Sequence, residues 1–247
     1  MQVSGLWCED WAGIRVTSFG NRLFFAANKS TSGIELWTSD GTSSGTTLFK
    51  EIVSGTSGSS PEAMRVAGGR LYFTATSSGA GRELWTSDGT AAGTVQLKDI
   101  TAGSSNSSIS SLTALGNRLY FVVGNSALWT TDGTPAGTVA LSLVGTSAVS
   151  LLTPLGKRLF FVASTPATGS EVWQTDGTPA STRPTVDLAA GSASSSPTML
   201  AALGGQLLFT NSAPPVFHSY MSPTTNSAPA AKVGGPITIN EGQSATF

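Results

Sequence analysis

The sequence predicts an all-β, β-propeller-like repeat domain of about five four-stranded blades, the fifth incomplete. Three observations lead there. The octapeptide ELWTSDGT stands at Glu35–Thr42 and again at Glu83–Thr90, with near-copies ALWTTDGT at Ala127–Thr134 and EVWQTDGT at Glu171–Thr178. A second marker, NRLFF, GRLYF, NRLYF, KRLFF and GQLLF, runs in phase with it and places Phe25, Phe73, Phe121, Phe161 and Phe209 at matching positions. Between the markers lie only short β-rich segments bounded by Gly, Ser and Asp, with no helical period. Trp37, Trp85, Trp129 and Trp173 are spaced by 48, 44 and 44 residues, a period that suits one four-stranded propeller blade per unit. A parallel β-helix repeats at shorter intervals and does not need two hairpin turns in each unit.

The unit beginning at Ala63 shows each element. Its strands are expected at Met64–Val66, Arg70–Ala75, Glu83–Thr86 and Thr94–Ile100, all rich in β-branched, aromatic or Leu residues. The first two are joined by AGGR, matched elsewhere by FGNR, LGNR, LGKR and LGGQ, where Gly supplies the positive φ of a tight hairpin. The last two are joined by Asp-Gly-Thr. RLYFTA is a continuous apolar run because a central propeller strand is covered on both faces.

The ends depart from the pattern. After Phe209 the fifth unit has no Trp-Asp-Gly-Thr element, so its second hairpin is expected to be missing or replaced. The stretch from Val3 to Trp7 resembles the third strand of a unit and is expected to pair with the fifth blade, closing a ring and removing exposed strand edges. Residues 1–221 are therefore read as the repeat domain, 222–232 as a Pro/Ser/Ala linker, and 233–247 as the first strands of another β module. Two β segments do not make a stable domain, so the chain reads as a piece of something longer.

Composition narrows the partners. Charged residues are 11% of the chain and the formal net charge is −1, so no clustered Lys/Arg face argues for nucleic acid. No apolar run approaches the roughly 20 residues of a membrane span. The lone Cys8 cannot form an internal disulfide and reads as a small packing residue.

Each chemically suggestive residue has a structural reading beside the functional one. Asp40, Asp88, Asp132 and Asp176 suit Asx turns, with the carboxylate accepting from the backbone two residues on and Gly41, Gly89, Gly133 and Gly177 left-handed. The alternative is a calcium ligand, but one carboxylate per turn is few for a cation that takes six or more oxygens. The Trp residues read as wedges between blades, and the alternative is a carbohydrate-stacking row exposed at a rim. Glu35, Glu83 and Glu171 share a position that Ala127 fills in the third unit, which favours structural pairing with an Arg such as Arg82 or Arg70 over a catalytic acid pair. His218, the sole histidine, lies in the least regular region, where neither a metal site nor a catalytic triad is expected. Gly-rich stretches such as VSGTSGSS lack the Lys of a phosphate loop. Asn28 and Asn106 open glycosylation sequons to which no role is given.

Glu-Leu-Trp-x-x-Asp-Gly-Thr, then x-x-Gly-Thr, a strand ending near Asp99-Ile100, Ser-Pro at Ser60-Pro61 and Ser196-Pro197, and Gly-x-x-Leu-x-Phe together resemble the ELWxxDGT repeat of bacterial cell-surface proteins, over roughly Ile14 to Phe209. Departures are Ala127 and Ser181, the latter standing where the other units have Gly. The tail APAAKVGGPITINEGQSATF looks like the opening of an immunoglobulin-like or polycystic-kidney-disease (PKD) type module. The resemblance implies a long secreted or surface-anchored protein with propeller-type repeats and a generally unassigned molecular activity. The residues themselves are read as a non-enzymatic scaffold for interaction or adhesion with an unknown protein or glycan partner, with no catalytic, cofactor-binding or metal residues and no cofactor. The competing expectations are a glycan- or calcium-binding propeller, and a propeller hydrolase or lyase with its site in loops.

Overall fold

The first four repeats fold by the same two hairpin devices, and the fifth shares the first of them. The computed structural model describes residues 16–141, 145, 147–185, 189, 191–211 and 216–221. Gly20, Gly68, Gly116, Gly156 and Gly204, at the tight joins read from the sequence, have φ of 59, 54, 57, 59 and 57°, which an L side chain adopts only with strain. Each Asp-Gly-Thr segment returns the chain from the third strand to the fourth.

The result is a series of antiparallel sheets in chain order. The first holds β1 (Thr17–Phe19), β2 (Arg22–Lys29), β3 (Gly33–Ser39) and β4 (Thr47–Lys50), and the second β5 (Glu62–Ala67), β6 (Arg70–Ser77), β7 (Gly81–Ser87) and β8 (Val95–Lys98). The third holds β9 (Ile109–Leu115), β10 (Arg118–Val123), β11 (Ala127–Thr131) and β12 (Val139–Ala140), and the fourth β13 (Ala148–Leu155), β14 (Arg158–Thr165), β15 (Gly169–Thr175) and β16 (Arg183–Pro184). The fifth has three strands, β17 (Pro197–Leu203), β18 (Gln206–Asn211) and β19 (Val216–Met221), so one strand stands where the other repeats place a second hairpin. This is the all-β, propeller-like repeat architecture expected, and none of the sheets closes on itself. The proposed N-terminal closing strand, Cys8, the linker and residues 233–247 lie outside the described residues.

The central strands β6, β10 and β14 of the second to fourth sheets are covered on both faces, as their continuous apolar runs require. In β6 Leu71, Tyr72, Phe73, Thr74 and Ala75 are all buried, and alternate residues point to opposite faces. Leu71, Phe73 and Ala75 join Met64 and Trp85 against Phe24 and Leu36 of the first sheet. Tyr72 joins Ala67, Leu84 and Leu97 against Leu112, Leu119 and Phe121 of the third. Each sheet thus has a leading face, set by the Leu and Phe of the second marker, and a trailing face, set in the first four sheets by the aromatic residue between them and in the fifth by Leu208.

The chain divides into two units, Met1–Gly124 with Trp129–Ala140, and Asn125–Leu128 with Leu141–Phe247. The second has its own leading-on-trailing interface, where Leu207 and Phe209 pack on Phe160 and Val172. One device was not expected. The first strands of the second and third sheets carry a bulge at Ala63 (φ 53°) and Ser111 (φ 56°), and the fourth repeats it at Leu151 (φ 55°).

Candidate functional site

The Asp-Gly-Thr turn is built the same way in every copy. Asp40 Oδ1 accepts from Thr42 N at 2.9 Å and from Thr42 Oγ1 at 2.7 Å. Thr42 Oγ1 in turn accepts from Gly45 N at 2.9 Å, and Thr46 Oγ1 donates to Thr42 O at 2.7 Å. Asp88 and Asp132 repeat this set with Thr90 and Thr134. The Thr42 hydroxyl and amide hold Asp40 below the usual carboxylate range, and Thr90 and Thr134 do the same for Asp88 and Asp132. For Asp176, partial burial pushes upward, but hydrogen bonds from Ser181 and Thr178 outweigh it and the carboxyl is also lowered.

The Gly three residues after the Thr is fixed by space. A Cβ on Gly45, Gly93 or Gly137 would fall 1.9, 2.1 or 2.0 Å from the Asp oxygen. In the fourth repeat Ser181 takes that place on a short 3-10 turn, Pro179–Ser181, and its hydroxyl donates to Asp176 Oδ1 at 2.5 Å. The departure seen in the sequence is therefore met by a different local turn that keeps the carboxylate engaged. Among the described residues, no group of three or more His, Cys, Asp or Glu side chains could hold a metal ion.

Three of the four repeat Trp rings are inside. Trp37, Trp85 and Trp173 are 6, 8 and 9% exposed, which leaves no ring face free for a sugar. Phe73 and Trp85 stack at 6.3 Å, and Phe121 and Trp129 at 6.3 Å, from neighbouring strands of one sheet. Trp85 packs with Phe24 and Leu36 of the first sheet, in the wedge position expected. Trp129 is half-buried under Lys98, whose Nζ stands 5.7 Å from the ring centroid and donates to Thr138 O at 2.8 Å. Lys50 donates to Ala91 O, 3.2 Å away on the turn of the second repeat, three residues before the position equivalent to Thr138. The paired strings FKEI and LKDI were the available sequence signal for these Lys staples, but their target on the next turn is a tertiary fact.

The Glu position corrects the sequence reading. Glu35, Glu83 and Glu171 are fully buried, and backbone amides and Ser hydroxyls donate to them. Glu35 accepts from Ile52 N at 3.0 Å, Val53 N at 2.9 Å and Ser59 Oγ at 2.5 Å. Glu83 accepts from Ile100 N at 3.1 Å and from the Ser107 hydroxyl, and Glu171 from Ser195 N at 2.8 Å and Ser195 Oγ at 2.6 Å. Each carboxylate thus anchors the loop that carries the chain to the next sheet. Burial pushes the Glu83 carboxyl above its ordinary value against the opposing pull of Ser107 and Ile100. Arg82 instead reaches Glu62 at 3.5 Å and Ser60 O at 2.9 Å, while Arg70 and Tyr72 sit where a side chain on Gly133 would have to go.

The third repeat serves as an internal control. Ser59, Ser107 and Ser195, each nine residues before a hairpin Gly, are buried, whereas the matching Ser147, in the repeat with Ala127, is exposed. Loss of the acid goes with loss of the buried hydroxyl. Asn106, in one of the sequons, accepts from Arg82 N through Oδ1 at 2.7 Å. His218 lies on β19 in register with Phe209.

No protein-family model matches the chain. A stretch of 24 residues is 75% identical to part of the sulfoquinovosidase of Agrobacterium fabrum (strain C58 / ATCC 33970), covering 10% of this chain and 4% of that protein. Among solved structures, AztD from Citrobacter koseri shows a TM-score of 0.49 at 11% identity over 84% of this chain and 56% of its own. The computationally designed Ika8 protein shows 0.46 at 15% identity, over 84% and 58%. Puromycin hydrolase shows 0.46 at 20% identity, over 86% of this chain and 34% of its own. The chain therefore spans well under two thirds of each. No helix among the described residues is long and apolar enough to cross a membrane.

Proposed function

We propose that this chain is a non-enzymatic repeat scaffold of the ELWxxDGT type, exported or displayed on a bacterial surface, whose exposed loops and rims engage a protein or glycan partner. The observation that supports this reading is the employment of the repeated polar side chains. The four turn aspartates accept from Thr in their own turns, and the three buried glutamates accept from the loops that follow their sheets. A repeat whose recurring polar side chains are engaged within their own turns and with the loops that follow their sheets leaves recognition to the residues that vary between copies.

The test joins location and activity. Antibody against the purified chain should label intact cells of the source bacterium, and the purified chain should leave chromogenic glycoside, ester and peptide substrates unchanged. Labelling that needs cell lysis would overturn the surface assignment. Turnover abolished by one loop substitution would overturn the non-enzymatic one.

A further inference from the structure

Several buried polar atoms without a hydrogen-bond partner share one place in the repeat. In β3, β7 and β15 the residue cross-strand from the middle aromatic of the second marker is polar: Thr38 opposite Phe24, Thr86 opposite Tyr72 and Gln174 opposite Phe160. Each is 1% exposed. Each also presents a buried atom, Thr38 Oγ1, Thr86 Oγ1 or Gln174 Nε2, that has no partner among the described residues. Strand alternation puts all three on the trailing face of their own sheet, beside the residues that meet the next sheet: Phe24 and Leu36, Tyr72 and Leu84, Phe160 and Val172. At the first of these junctions a second atom is in the same position. Trp85, which packs from the second sheet onto Phe24 and Leu36, has its indole Nε1 buried and unpartnered.

We propose that the junction of the first and second sheets is a binding site for one ordered water, which bridges Thr38 Oγ1 and Trp85 Nε1. Leaving a buried donor or acceptor unbonded costs stability, so the great majority in native proteins are bonded, to protein or to ordered water. The chemistry of the two groups selects the ligand. An indole N–H only donates, whereas a Thr hydroxyl both donates and accepts, so a small neutral molecule that accepts from Trp85 and donates to Thr38 completes both. Water does this and keeps one donor and one acceptor for its surroundings. Protein interiors hold about one such water per 27 residues, so a site of this kind is ordinary in a chain of this length. Thr86 holds the same place at the junction of the second and third sheets and takes a water for the same reason. Thr130, the equivalent residue of the third repeat, shows the alternative: its hydroxyl turns back on its own sheet and donates to Leu119 O at 3.3 Å. The inference does not depend on the function proposed above.

The experiment is a crystal structure of the full chain at a resolution that shows ordered water, joined to a melt of one variant. The expected result is a density peak at hydrogen-bond distance from both Thr38 Oγ1 and Trp85 Nε1, and a second peak at that distance from Thr86 Oγ1. Thr38→Val keeps the branched shape and removes the hydroxyl. It should lower Tm by about 2 to 4 °C, the shift that one lost hydrogen bond brings in a chain of this size, and its crystals should keep only the second peak. In solution the Trp85 indole proton, assigned by its loss in Trp85→Phe, should show a nuclear Overhauser cross-peak to water that the rotating frame separates from exchange. A junction without the first peak, a Thr38 hydroxyl turned onto its own sheet as in Thr130, or an indole proton with no such cross-peak overturns the proposal. So does a Thr38→Val chain that melts as high as the parent or higher, because its hydroxyl then had no partner to lose.

Discussion

Replacing Glu35 by Ala removes the acceptor from three donors at once. Ile52 N, Val53 N and Ser59 Oγ, at 3.0, 2.9 and 2.5 Å, lose their partner in a place where the carboxylate was fully buried. A buried donor left without an acceptor costs about 1 to 3 kcal/mol. The two amides belong to a loop of half-buried residues that water can reach, so the low end applies and the total comes to about 3 kcal/mol. For a chain of this size that is a fall in Tm of about 6 to 12 °C. Urea and thermal melts followed by Trp fluorescence and circular dichroism read the loss. Ser59→Ala, which removes one of the three bonds, should cost about 1 kcal/mol, and the double variant should lose less than the two losses added. A loss below about 0.5 kcal/mol for Glu35→Ala, or simple additivity with Ser59→Ala, would refute the anchoring role.

Three further outcomes follow from the turns and the rings. Gly93→Ala puts a Cβ 2.1 Å from Asp88 Oδ1 and should destabilise by about 1 to 3 kcal/mol in a urea melt, whereas Ser181→Gly in the fourth repeat removes no clash and should not stabilise. The lowered Asp40, Asp88 and Asp132 carboxyls give the turns stability that is present above the unfolded Asp value and lost as pH falls through the lowered folded value. Glu83, raised in the fold, acts the opposite way, its contribution falling as pH rises from the unfolded Glu value to the folded one. Stability measured against pH should therefore lose part of its acid limb in Asp88→Asn and steepen slightly on that limb in Glu83→Gln. Trp85→Ala should cost about 3 to 5 kcal/mol by emptying the contact with Phe24 and Leu36, and a folded, stable Trp85→Ala that had merely lost glycan binding would instead support a sugar platform.

Much of this was legible in the sequence because the repeat averages out local noise. The second unit's strands, expected at Met64–Val66, Arg70–Ala75, Glu83–Thr86 and Thr94–Ile100, are Glu62–Ala67, Arg70–Ser77, Gly81–Ser87 and Val95–Lys98. The Asx geometry of Asp40 was readable because its partner, Thr42, is two residues away. The partners of Glu35 were not, because Ser59 lies 24 residues on and meets the carboxylate only after the chain has crossed toward the next sheet. Proximity in sequence made Arg82 look like a partner for Glu83, but successive residues on a strand point to opposite faces. The bulges at Ala63 and Ser111 escaped notice because neither residue favours a positive φ, so only the sheet register reveals them.

The central claim is that the repeated carboxylates are spent inside the blades rather than held out for a ligand. Differential scanning calorimetry of the whole chain in millimolar calcium and in chelator addresses it most directly. The account predicts superimposable transitions. A transition that moves upward with calcium, by the equivalent of about 2.7 kcal/mol at one hundred times a dissociation constant, and that loses this shift in Asp40→Asn or Asp88→Asn, would contradict it.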